Sequence, residues 1–189
     1  MNRQITFDQY RNIDLTIMTA VLAISQFFIY VAASFWFPEQ LYVVSPVAAV
    51  VALTMMRWSG YAAIHALFGG LFFTALSGGT WQHYIIYGGG NLLALLALMM
   101  FKVRDKEQVR QDAFLALTFA LLTQLLMQLG RAGIAAILGF PADACIGFIT
   151  TDILSALFTL FIIWIVRRIE GLFEDQKHYL LRIQSEHKS

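Results

Sequence analysis

Residues 113–138 read AFLALTFALLTQLLMQLGRAGIAAIL, 26 residues with one charge, Arg131, and no break before Gly139-Phe140-Pro141. A helix crosses the hydrocarbon core of a bilayer with about 20 mostly apolar residues. This run therefore predicts a membrane-spanning helix, and it decides the class of fold. Proline after the run cannot continue a helix, and glycine favours its C-terminal cap.

Five more runs flank it. Asp14–Trp36, Leu41–Arg57, Tyr61–Gly79 and Gln82–Phe101 precede it, and Cys145–Val166 follows. Pro38-Glu39, Ser59-Gly60, Ser77-Gly78-Gly79 and the charged stretch Lys102 to Asp112 separate the earlier ones. The second run is short and contains Pro46, which predicts tilt or a kink. A membrane barrel would instead show many alternating segments of about ten residues. The expectation is one all-α membrane domain over residues 1–189, with six transmembrane helices and a tail at 167–189.

Composition agrees. Of 189 residues, 59% are hydrophobic and 13% charged, against roughly 45–50% and about 25% in soluble domains. Sixteen Phe and four Trp are too many for one small soluble core. A soluble enzyme, a disordered chain and a nucleic-acid binder are therefore not expected. The lone cysteine, Cys145, excludes a disulfide framework and a cysteine zinc site. Thirteen polar-leaning residues precede the first apolar run, so a secretory signal is not expected.

The basic residues set the orientation. Arg3, Arg11, Arg57, Lys102, Arg104, Lys106, Arg110, Arg167, Arg168, Lys177, Arg182 and Lys188 all lie at the tails or in the second and fourth connections. That is 12 of 13, and the other connections hold none. Cytoplasmic loops carry such an excess, so both termini are expected in the cytoplasm. The Lys102–Arg110 cluster, interleaved with Asp105 and Glu107, reads as a topology anchor rather than a nucleic-acid patch.

The thirteenth basic residue is Arg131. An arginine at a span centre costs about 2.5–3.5 kcal/mol on the insertion scale. Asp152, in the sixth run, falls at a similar depth, seven residues from the outer end. The pair either locks two helices together or faces a ligand cavity open to the outside. Gln124, Gln128 and Arg131 share one helical face, as do Asp152 and Ser155. Such a stripe should face protein or a water-filled cavity. Gln26 reads as an ordinary interhelical hydrogen bond.

Residues 78–91, GGTWQHYIIYGGGN, enter the membrane from the outside in this topology. Tyr84, Tyr87 and Asn91 fall at i, i+3 and i+7, with Trp81 and His83 at the mouth. Aromatics at an interface form a belt, but a belt explains neither Asn91 nor three consecutive glycines. Glycines allow close approach, to a neighbouring helix or to a ligand. Flat aromatic faces with a few amides and one ion pair suit a small heteroaromatic molecule, and Trp36 offers a further wall. The candidate site is Trp81, His83, Tyr84, Tyr87, Asn91, Gln128, Arg131 and Asp152.

The histidines, His65, His83, His178 and His187, lie too far apart for a metal site. Nucleotide and hydrolase motifs are absent, and no cofactor is expected. A membrane enzyme would have only His83 available outside. Thr16, Ala20, Thr19 and Ala23 form small-xxx-small pairs that let helices approach closely. The tail after Arg167 reads as an amphipathic surface helix broken near Gly171, or as a docking surface for a partner.

Met56-Arg57-Trp58-Ser59-Gly60, Ile86–Asn91, Leu129-Gly130-Arg131, Thr151–Ser155 and Gly171–Arg182 carry a resemblance over nearly the whole chain. It resembles the S components of energy-coupling factor (ECF) transporters, the membrane subunits that capture vitamins. The resemblance implies capture of a small molecule from outside. It implies delivery through a T component with two cytoplasmic ATPases, with toppling in the cell membrane. It also implies that the first helix docks the T component, here through Thr19 and Ala23 or Thr16 and Ala20 in place of an Ala-x-x-x-Ala face. A stand-alone secondary transporter or channel is the alternative, although the two halves show no convincing repeat.

Overall fold

The computed structural model describes residues 6–37 and 44–186. Arg3, Pro38, Glu39, Leu41, His187 and Lys188, which the sequence assigns as anchors, helix stops, a span end or tail residues, lie outside them. The described residues are helical, with no strand among them. Five stretches are long and apolar enough to cross a membrane: Phe7–Trp36, Val47–Leu76, Trp81–Lys102, Ala113–Ile137 and Ala142–Val166.

Helix α1 (Phe7–Trp36) starts seven residues before Asp14, because Thr6 and Gln9 cap it reciprocally. The second stretch is two helices, α2 (Val47–Trp58) and α3 (Ala62–Leu76). Ser59, at φ 52°, breaks the path between them, a region few non-glycine residues enter. Thr54 Oγ1 lies 3.3 Å from His65 Nδ1. Eleven residues along one helix span about 16 Å, so the chain has reversed. Pro46 sits just before α2 rather than kinking it. Every residue of α2 except Leu53 is buried. It is the hub, packed against α1, α3 and the helices described next, as a helix apolar all round must be.

Helix α4 (Trp81–Lys102) changes pitch, with a widened π-turn at Ile85–Gly89 and a tightened 3-10 stretch at Leu92–Lys102. A short α5 (Lys106–Gln111) leads to α6 (Ala113–Ile137), whose first amides Asp112 caps. The last stretch divides into α7 (Ala142–Thr150) and α8 (Ile153–Val166). Thr150 and Thr151 donate back to the carbonyls of Ile146 and Gly147, a pattern that bends helices. Asp152 therefore sits at a break between two helical segments of this one stretch.

The tail is pinned. Gly171, at φ 76°, turns the chain into α9 (Gln176–Glu186). Buried Arg57 donates through Nε and Nη2 to Asp14, at 2.9 and 2.6 Å, and through Nη1 to the carbonyls of Gly171 and Leu172. Trp58 Nε1 also donates to Asp14. Tyr10 reaches Gln176 Oε1 at 3.0 Å, and Lys106 pairs with Asp175 at 2.7 Å. Arg57 is thus a structural clamp.

Large apolar side chains cover the outside. Phe28, Phe35, Leu129, Ile137, Leu157 and Phe161 are all more than half exposed. Water-soluble monomers rarely show such continuous apolar surface, and the pattern is compatible with a membrane protein.

Candidate functional site

Glycines decide how closely the site's helices meet. A Cβ on Gly70 of α3 would stand 2.3 Å from the carbonyl oxygen of Tyr87. On the other side of α4, a Cβ on Gly90 would stand 2.6 Å from the amide of Arg131. The Gly88-Gly89-Gly90 run is therefore clasped between α3 and α6; its close approach is to neighbouring helices. Glycine is required at Gly70 and Gly90 because the opposing atoms are backbone and cannot give way, whereas Gly88 and Gly89 face the side chains of Leu71 and Ile134.

That clasp seats Asn91 beside Arg131. Asn91, fully buried, donates through Nδ2 to the Ala66 carbonyl at 3.0 Å. Its Oδ1 accepts from Arg131 Nε at 2.8 Å. Arg131 Nη1 donates to Asp152 Oδ2 at 3.1 Å, and Gln124 Nε2 donates to the same oxygen at 2.9 Å. The guanidinium also lies 5.0 Å from the centre of the Tyr87 ring, within the range of a cation–π contact. Phe73 and Phe148 meet Tyr87 edge-on at 5.0 and 5.7 Å.

These groups line one cavity of about 70 Å³, bordered by Phe73, Tyr87, Asn91, Arg131, Phe148 and Asp152. Three polar atoms of its walls make no hydrogen bond among the described residues: Arg131 Nη2, Asp152 Oδ1 and Tyr87 Oη. The cavity therefore offers a charged donor, a charged acceptor and a hydroxyl beside three aromatic rings. Ser155 accepts the amide of Ser45, a residue of the cavity wall, at 2.9 Å.

Of the eight residues expected at the site, Tyr87, Asn91, Arg131 and Asp152 come together there. The other four do not. Trp81 is 63% exposed and Tyr84 37% exposed, both away from the cavity. Tyr84 leaves the face of Tyr87 because the widened turn at Ile85–Gly89 adds residues to one revolution. His83 caps its own helix through Thr80 and stacks behind Tyr87 at 6.4 Å. Gln128 is buried but lies off the cavity. Trp36 is exposed and adds no wall. Gln124, one turn earlier on the stripe, reaches Asp152 instead. Phe73 and Phe148 carried no sequence signal among sixteen phenylalanines; the Gly69-Gly70 pair, not singled out in the sequence, was the available sign of a close contact.

The small pairs of α1 divide. Thr19 faces inward, 3.1 Å from His65 Nε2, and Ala23 is half-buried. Thr16 and Ala20 are exposed. Gln26 donates to the Gly69 carbonyl at 3.0 Å.

No family model, curated protein or solved structure matches the chain.

Proposed function

We propose that the chain is the substrate-capture subunit of a membrane importer of the energy-coupling factor type. In this reading it crosses the cell membrane six times with both termini in the cytoplasm. The reversal at Ser59 supports six crossings, and the placement of 12 of 13 basic residues supports the orientation.

One observation carries the reading. Among the described residues, Arg131 Nη2 and Asp152 Oδ1 lack partners, and both groups line an aromatic-walled cavity. A pair that served only to lock helices would be expected to satisfy both groups fully. The solute that fits this chemistry is small and amphoteric, with an acceptor or acid for Arg131, a donor for Asp152 and a flat ring for Tyr87. Ligand pockets usually measure about 300–1,000 Å³, so a heteroaromatic solute requires the cavity to widen. Phe73 and Phe148 are the walls free of hydrogen bonds. The chain carries no nucleotide motif, so energy comes from partners, a T component and paired ATPases.

Mass spectrometry of small molecules released from the purified protein tests the proposal. An amphoteric solute retained by the wild type and lost with Tyr87→Ala is the expected result. Concentrative, ATP-independent transport by the chain alone in vesicles would overturn it in favour of a stand-alone carrier.

A further inference from the structure

We infer that the junction of α5, α6 and α8 is a binding site for the headgroup of an anionic phospholipid. An open groove of about 480 Å³ lies there, lined by Arg104, Gln108, Gln111, Asp112 and Leu115. Arg167, at the end of α8, reaches its rim and donates through Nη1 to the Gln111 carbonyl at 3.5 Å. Neither arginine has a carboxylate partner among the described residues. Arg104 is exposed, and its side chain makes no hydrogen bond among the described residues. Arg167 makes that one long bond, and its Nε is buried without any.

The carboxylates nearby are Asp105 and Asp112. Each is turned to a helix amide, Asp105 to Gln108 at 2.8 Å and Asp112 to Phe114 at 2.8 Å. Two guanidinium groups thus remain for an incoming anion, and guanidinium matches phosphate geometry through paired N–H donors.

The occupant is a lipid rather than a free anion because of what adjoins the charges. Val103 and Phe114, next in sequence to the lining residues Arg104 and Leu115, are 80% and 76% exposed. On the end of α8, Arg168 lies 3.8 Å over the ring of half-exposed Trp164, an arrangement suited to a membrane interface. A headgroup between Arg104 and Arg167 leaves its acyl chains against Phe114 and Val103. Basic pockets between helices on the cytoplasmic side are the kind that hold anionic headgroups.

This rests on the membrane placement proposed above. The full chain, extracted in detergent, would be titrated with phosphatidylglycerol, phosphatidylcholine and inorganic phosphate, with native mass spectrometry and thermal shift as readouts. Phosphatidylglycerol is expected to remain bound and raise the melting temperature; the other two are not. Arg104→Gln, which removes no internal contact, should weaken retention about fivefold, from about 1 kcal/mol per basic residue. Asp112→Asn keeps the helix cap and removes a negative charge, so it should tighten retention. Equal effects of phosphatidylcholine or inorganic phosphate, or indifference of both variants, would overturn the inference. A chain that purifies without detergent from the soluble fraction would instead overturn the membrane placement itself.

Discussion

Gly90 and Gly130 meet backbone to backbone: a Cβ on Gly130 would stand 2.2 Å from the Gly90 carbonyl oxygen. This contact, more than any side chain, sets the distance between α4 and α6 and places Asn91 within reach of Arg131. Gly130→Ala should destabilise the protein by about 1–3 kcal/mol, toward the upper end because the obstacle is rigid backbone. Gly133, on the same helix with nothing within 4 Å of its Cβ position, supplies the control. Gly133→Ala should be neutral or gain up to about 1 kcal/mol of helix propensity. Thermal melts of the two variants decide it; equal losses would remove the clasp from the account.

The Arg131–Asp152 pair makes a second prediction. Arg131→Ala leaves a carboxylate only 14% exposed, held by Gln124 alone. Breaking a buried pair from one side costs about 3–5 kcal/mol. Asp152→Ala should cost less, since Asn91 and the Tyr87 ring still hold the guanidinium. The double variant should recover part of the stability lost in Arg131→Ala, and it should lose ligand affinity if the proposed site is correct. A stable double variant with unchanged affinity would make the pair purely structural.

The legible part of the fold was the part written in long apolar runs. The stretch 113–138 and the breaks at Ser59 and Gly139 can be read directly, because a bilayer-length helix and its stops depend on local composition. At the site, Arg131, Asp152 and Asn91 were legible because an ionisable or amide group in an apolar run needs a partner. Tyr84 and Gln128 failed for a different reason. Their assignment assumed ideal helical periodicity, and the widened turn at Ile85–Gly89 and the packing of α6 shift which residue meets the cavity. The fourfold engagement of Arg57 had no local signature, since its partners lie 43 and about 115 residues away in the chain.

That engagement gives a third prediction. Arg57→Lys keeps the charge but cannot donate at once to Asp14 and to both tail carbonyls, since an ammonium lacks the planar fork of guanidinium. Amides from 172 to 183 should exchange with solvent at least tenfold faster in the variant, while those of α3 remain protected. Unchanged exchange in the tail would show that Phe173 packing and the Tyr10–Gln176 and Lys106–Asp175 contacts hold it without Arg57.

Acid should loosen the same tail. Burial pulls the Asp175 carboxyl upward, but the hydrogen bond and charge of Lys106, with the amides of His178 and Lys177, outweigh it and hold it below the usual range. A carboxylate depressed in the folded state contributes its full stability above its unfolded pKa, about 3.9. That contribution is lost as pH falls through the folded value. A fluorophore at Leu181, 55% exposed, should report constant docking from pH 8 to 5 and release below about pH 4. Asp175→Asn should loosen the tail already at pH 7 and flatten the profile. A transition centred well above pH 5 would show that a group other than Asp175 controls docking.

The two small pairs on α1 should behave differently when enlarged. Thr19 donates to the Leu15 carbonyl at 2.9 Å and faces His65, which is fully buried between α1, α2 and α3. Thr19→Leu removes a polar partner from that histidine and adds volume to a filled contact, so a loss of about 1–3 kcal/mol is expected. Thr16 and Ala20 point away from the protein, beside exposed Ile13, Ile17 and Ile24. Ala20→Leu should therefore leave the melting temperature and ligand retention unchanged. If a T component docks on this face, the same change should lower uptake in the assembled importer severalfold. A loss of uptake with Thr19→Leu would say nothing about docking unless stability were measured beside it. A stable Ala20→Leu protein with full uptake would move the docking surface off this stripe.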